Sequence, residues 1–410
     1  MSRLEELIQT LCPDGVDFRL LGNIGDFFGG LTGKTKQDFQ NGNKKFISYM
    51  NVYKNPAVDT TTEDLVRIGT AEQQNTVEYG DILFTGSSET PEECGISSVM
   101  VKHPDEPFYL NSFTIGFRLR NPSQLNPDFS KHLFRSGEMR KQINKTANGV
   151  TRFNVSKVKL ADVKIPVPPL PVQEEIVRIL DTFTALENEL EAELAARAKQ
   201  YEYYRNELLS FDSGSIIIEK MLSDFGLDSV SFTSLGEVVD ILDSQRKPVT
   251  KSQRKPGPYP YYGANGIQDY VSGYIFDGTF ILLGEDGSVI NSDGSPVLTW
   301  ATGKIWVNNH AHVLAEKKNG MSLRYLYHYL KTVDVSKVVR GVPPKINQEN
   351  LRNIRVALPP KELQEKFVSI LDRFDALVNN LKSGLPAEIA LRRKQYEYYR
   401  DKLLTFHPLS

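Results

Sequence analysis

Gln200-Tyr-Glu-Tyr-Tyr-Arg205 and Gln395-Tyr-Glu-Tyr-Tyr-Arg400 are one hexapeptide written twice in one chain. Leu208, Leu209 and Phe211 follow the first copy; Leu403, Leu404 and Phe406 follow the second at the same offsets. Upstream, Gln173, Ile179-Leu-Asp181, Phe183 and Ala185-Leu186 correspond to Gln364, Ile370-Leu-Asp372, Phe374 and Ala376-Leu377. Both stretches are entered through prolines, Ile165-Pro-Val-Pro-Pro-Leu-Pro171 and Val356-Ala-Leu-Pro-Pro360. Weaker echoes lie further back: Leu21-Gly22 with Leu235-Gly236, Gly149-Val150 with Gly341-Val342, and Leu160 with Leu351. A period this long is a duplicated domain-plus-helix module, not a solenoid unit.

The duplicated stretches read as helices. Over Pro171–Ser210, proline sits at the entrance and acids crowd the first turns, which suits the positive end of the helix dipole. Ile176, Leu180, Phe183, Leu190, Leu194, Tyr201, Tyr204 and Leu208 form a heptad-like seam, a rod of about 57 Å at about 1.5 Å per residue. The second helix starts near Lys361, with Phe367, Leu371, Phe374, Val378 and Leu381 on its seam. Gly384 then reads as a C-cap and Pro386 as a new start, so a break is expected before a helix over 387–404. Tyr396 and Tyr399, like Tyr201 and Tyr204, lie three apart and share a face. Neither helix can hide its seam alone, so the two should pair. The stretches between them read as mixed structure with short strands, such as Ile82–Phe84 and Phe280–Leu283. Each closes with a helical segment, near Pro127–Asn144 and Leu323–Lys331.

Composition sets the class. The chain has 410 residues, 40% hydrophobic and 24% charged, enough for two or three soluble domains with their own cores. Two cysteines, Cys12 and Cys94, provide neither a disulfide framework nor a metal cluster, and a reducing cytoplasm is expected. Met1–Leu11 reads as neither a signal peptide nor a membrane span. The formal net charge of −2 hides segregation. Nine cations between Lys131 and Lys164 face only Glu138 and Asp162, whereas Gln173–Glu193 is strongly acidic. Arg246, Lys247, Lys251, Arg254 and Lys255 form a second basic stretch.

The duplicated Pro-Pro entries with Ile-Leu-Asp-x-Phe, the paired QYEYYR exits and the lead Leu11-Cys-Pro-Asp-Gly-Val16 together resemble the specificity subunit of a type I restriction-modification enzyme, along essentially the whole chain. The resemblance implies an α+β protein with a pseudo-two-fold internal repeat. Two mixed α/β target-recognition domains (1–165 and 213–355) are separated by two long antiparallel helices, a coiled-coil-like spacer (166–212 and 356–410). It implies that each domain reads one half of a split site on double-stranded DNA. It also implies two methyltransferase (modification) subunits and restriction/translocase subunits as partners. No cofactor is then bound by this chain: S-adenosylmethionine, ATP and Mg²⁺ are used by the partners, and the chain does no chemistry. The Gly384–Pro386 interruption has no counterpart in the first helix and departs from exact two-fold equivalence.

Candidate DNA contacts follow from residue type. Gly29-Gly-Leu-Thr-Gly-Lys-Thr35 fails the spacing of a phosphate loop, because Phe28 stands where the first glycine is required. Two readings remain, a loop placing Thr32, Lys34 and Lys36 on DNA or a solvated turn. In the basic run, Asn148, Thr151 and Arg152 are candidates: arginine suits guanine and asparagine adenine. Arg340 and Lys345 hold the matching place in the second half. Arg246 and Arg254 belong to the second basic stretch, and Tyr261, Asn265 and Gln268 to an aromatic-polar loop whose plainer reading is a hairpin with core tyrosines. No catalytic set is visible. Asn121-Pro122 and Asn126-Pro127 lack the following aromatic of an amino-methyltransferase. His310-Ala-His312, with no acidic or cysteine partner in view, reads as a surface or core pair, so no metal is expected.

Overall fold

The computed structural model describes residues 2–211, 214–287, 289–318 and 321–409. The chain divides into two units, Met1–Leu190 with Ile389–Ser410, and Glu191–Glu388. The first unit therefore takes in the end of the chain, and the helices do not stand apart as domains of their own.

In the first unit, a four-stranded antiparallel sheet runs in the order Gly25–Gly29, Thr114–Leu119, Ile82–Thr85, Ser97–Val99. All four residues of Ile82–Thr85 are buried, which explains why that segment reads as an apolar run and not as an alternation. Two helices cover the sheet, α1 (Pro127–Leu133) and α2 (Gly137–Asn144), where the sequence pattern predicts one helical stretch. Asn126 caps α1 by accepting from the amides of Asp128 and Phe129, and Pro127 sits where no amide is needed. The long helix α3 spans Leu170–Leu209, within a residue of its expected ends.

The second unit is built differently. Its sheet has six strands, in the order Val239–Ile241, Ala311–Glu316, Phe276–Gly284, Leu298–Val307, Pro256–Gly263, Gly266–Val271. Helix α4 (Leu323–Leu330) covers it, capped by Ser322. Helices α5 (Lys361–Asn379) and α6 (Leu385–Leu403) follow, with the expected break between them. Two details of that break differ from expectation. Helix α5 ends at Asn379, so Gly384 is not its C-cap; the Gly384 carbonyl accepts the first amides of α6, those of Ala387 and Glu388. Leu381, expected on the seam, lies past the end of α5 and is 81% exposed, because the chain turns away before the next heptad position.

The repeat itself is visible as a frame. Phe18–Leu20 pairs with Lys164–Pro166, and Ser231–Ser234 with Arg355–Leu358; a single helical turn starts at Leu21 and at Leu235 immediately after each first strand. In the first unit, Phe183 of α3 stacks on Tyr399 of α6 at 5.3 Å, and Glu187 pairs with Arg393 at 2.6 Å, so the helices run antiparallel. Leu190 is half-buried at the end of that share of α3. In the second unit, Tyr201 and Tyr204 stack on Phe374 at 6.3 and 5.7 Å, and Phe211 meets Phe367 edge-on at 5.9 Å, again antiparallel.

Gln173 and Gln364 clamp this frame, each buried. The Gln173 amide donates to the carbonyls of Gln124 and Pro168 and accepts from the Asn126 amide; that of Gln364 donates to Pro359 and accepts from the Ser322 amide. The Gln364→Leu substitution strands one backbone donor and one acceptor away from water, at about 1–3 kcal/mol each. Urea unfolding should show a lower midpoint for that variant and an unchanged one for Glu365→Gln, whose side chain is exposed.

Candidate nucleic-acid interface

The frame fastens each sheet to the helices through a buried histidine. In the first unit, His132 of α1 lies 2.8 Å from Asp181 through Nε2 and 2.8 Å from the Tyr396 hydroxyl through Nδ1. In the second, His328 of α4 lies 2.6 Å from Asp372 and 3.4 Å from the Tyr201 hydroxyl through the same two nitrogens. Nε2–H donates to each carboxylate, leaving Nδ1 to accept from the tyrosine hydroxyl. Asp181 and Asp372 are the aspartates of the two Ile-Leu-Asp copies, and Tyr396 and Tyr201 the first tyrosines of the two hexapeptides. The motifs that mark the repeat are thus the parts of one device made twice. Burial pushes His328 down to about 4 and also lowers His132, each against the pull of its aspartate.

Candidate contact residues of the first unit fall into two groups. Thr32 and Lys36 are exposed, but Lys34 is 9% exposed and pairs with Glu72 at 2.5 Å while donating to the Arg67 carbonyl. Lys34 thus ties its own loop together through Glu72 and the Arg67 carbonyl. Asn148, Thr151 and Arg152 all lie at the surface. Asn148 accepts from Lys159 at 2.7 Å, and Arg152 donates to Ser87 Oγ at 3.3 Å with its guanidinium 5.7 Å from the Phe113 ring. The basic run is split as well. Arg135 donates to the carbonyls of Ser97, Val52, Tyr53 and Asn55, and Arg140 to those of Glu92, Cys94 and Gly95; burial lowers both to about 10. Lys145, Lys157, Lys159 and Lys164 remain outward.

In the second unit, Tyr261 is 1% exposed and its hydroxyl is engaged by the Val249 backbone, so it is a core residue of a hairpin and not a DNA contact. Arg254 packs over its ring at 4.1 Å and reaches Asp269 at 3.4 Å. Asn265, at the hairpin turn, and Gln268 are exposed. Arg246 is largely buried between Glu285 (2.5 Å) and Asp243 (3.6 Å). His312 is buried against Asp243 at 2.6 Å and His310 meets Asp286 at 2.5 Å, so both histidines have the acidic partners that the sequence pattern does not bring into view. Asp243, Glu285 and His312 have ligand atoms within 4.8 Å of one another. Arg246 and Lys345, the latter 3.0 Å from Glu285, already balance these carboxylates, which makes the cluster an ion network. Arg340 and Lys345 are exposed and bridged to each other through both backbone amides, so one hairpin presents the two cations together.

A model of the type I restriction modification DNA specificity domain matches residues 13–200 and again 228–391. One match falls on each copy of the repeat, and the chain belongs to this family of type I restriction-modification specificity subunits. A putative type I restriction enzyme specificity subunit of Haemophilus influenzae is 41% identical over 198 residues, 47% of this chain and 50% of that one. The match thus spans half of that relative's length. The EcoR124I/EcoR124II specificity subunit of Escherichia coli is 31% identical over 281 residues, 63% of this chain and 65% of its own. The fold is shared with a type I restriction-modification S subunit from M. genitalium, at a TM-score of 0.54 and 17% identity over 95% of this chain and 96% of that one.

The buried histidines set a pH dependence. The unfolded chain takes up their protons near pH 6.5, while the folded chain holds His328 neutral to about pH 4. This stabilisation is fully present above about pH 6.5 and is lost as the pH falls towards about 4. Urea midpoints should fall across that window in the wild type and more shallowly in His328→Asn; equal slopes would contradict a neutral His328.

Proposed function

We propose that this chain reads a bipartite site on double-stranded DNA, one half through the sheet domain of each unit. The observation that carries this is the contrast between frame and sheets. The helices, the buried glutamines and the histidine contacts are duplicated, whereas beyond the frame the described residues form two four-stranded sheets and a three-stranded one in the first unit and a single six-stranded sheet in the second. One repeated frame holding two unlike surfaces fits two unlike half-sites. The outward cations, Arg152 with Lys157 and Lys159 in one unit and Arg340 with Lys345 in the other, would neutralise phosphates and supply sequence-independent affinity.

On this reading the chain also scaffolds two methyltransferase subunits and the restriction/translocase subunits. Those partners bring S-adenosylmethionine, ATP and Mg²⁺, and the complex works in the cytoplasm. No described helix is long and apolar enough to cross a membrane. The helices would set the spacer between half-sites, so one extra helical turn in α3 should change the spacer length tolerated.

Methylome sequencing of a host carrying the modification subunit, with and without this chain, tests the proposal. A split methylated motif should appear only when the chain is present. Its absence from a complex shown to assemble would overturn the reading. Arg152→Ala should weaken binding and lower the slope of log affinity against log salt by about one if Arg152 contacts a phosphate.

A further inference from the structure

The first unit carries a cleft that phosphate neutralisation does not explain. Its volume is about 500 Å³, within the range of about 300–1,000 Å³ typical of small-ligand sites. The rings of Tyr49 and Tyr53 line it, stacked at 6.2 Å with 16° between their planes, as do Met50 and Phe113. Phe113 is 58% exposed and Met50 48%, two large apolar side chains left in water on one concave surface. Its polar side chains are buried Ser87 and Ser88, the carboxylates Glu89 and Glu93, and Thr151 and Arg152.

Glu93 narrows what the cleft can hold. The Tyr53 hydroxyl donates to Oε1 at 2.8 Å and the Ser88 hydroxyl to Oε2 at 3.1 Å, and these bonds hold the carboxyl below its usual range. An ionised carboxylate only accepts, and with Tyr53, Ser88 and Thr90 around it Glu93 still has acceptor capacity for an N–H donor. A free phosphate or carboxylate would be repelled there. The fitting ligand has a flat face for the aromatic rings and adjacent N–H donors for Glu93. It also has an anionic tail for Arg152, whose guanidinium lies over Phe113. A nucleotide of the bound DNA meets all three requirements. Among the bases, guanine carries two adjacent N–H donors on its Watson–Crick edge, N1–H and N2–H, which match the two oxygens of a carboxylate.

We infer that this cleft receives one guanine drawn out of the duplex, stacked on the Phe113 and Tyr49 rings, bonded to Glu93 and held by its phosphate at Arg152. The inference rests on the reading that the first unit binds DNA. Extrusion is easier when the base is already unpaired. The assay uses the complex of this chain with its modification subunits. Duplexes carry the methylated motif with the base opposite each guanine changed in turn to a mismatch, every guanine kept. At one guanine the mismatched duplex should bind about tenfold more tightly than the paired one. That gain should fall below about twofold in Phe113→Ala and in Glu93→Gln, each shown to assemble with the modification subunits. The inference is overturned if no mismatch tightens binding while the wild type remains motif-specific, or if the gain persists in both variants. Loss of all motif preference in the wild type would instead overturn the DNA-reading function itself.

Discussion

The first tyrosine of each hexapeptide packs into the unit built mainly from the other copy of the repeat. Tyr396 closes on His132 and Asp181 of the first unit, and Tyr201 on His328 and Asp372 of the second. The first unit is not complete without the distant segment Ile389–Ser410. The end of the chain is drawn in by the same logic: the Val16 amide donates to the His407 carbonyl and the Leu409 amide to that of Val16, with Leu404 in the first core. A buried polar group that lacks its partner is costly, so these hydroxyl–imidazole–carboxylate chains specify one register as well as adding stability.

What that frame holds constant sets what the sheets can vary. The helices meet the sheet domains through α1 and α4, each carrying one of the two histidines. The clamping glutamines fix the loops leading into the same two helices. Strand number, strand order and surface loops beyond that junction are unconstrained by it, and there the units diverge. Guanidinium groups serve both parts. Arg135 and Arg140 are buried ties to backbone carbonyls, whereas Arg152 stands at a cleft mouth beside an exposed phenylalanine.

The repeat, the long helix, the break after α5 and the family were legible in the sequence, because periodic helices and duplicated motifs are local signals. The swap of exits between units was not, since it depends on which copy of an identical motif packs where. Candidate contacts were legible by residue type and not by environment. Lys34, Arg246 and Tyr261 have the chemistry of DNA contacts, but their partners Glu72, Glu285 and the Val249 backbone are distant in sequence. The cleft shows the converse. Tyr49, Glu93 and Phe113 come from three separate segments, and no spacing links them.

The division of labour between the units can be tested by exchange. Residues 22–160, from the first helical turn to the returning Leu160, would be replaced by the corresponding segment of a family member with a different methylated motif, leaving α3, α5 and α6 untouched. Methylome sequencing of the assembled chimera should show one half of the motif changed and the other half kept. A motif changed in both halves, or in neither, would contradict a frame that holds two independently reading units.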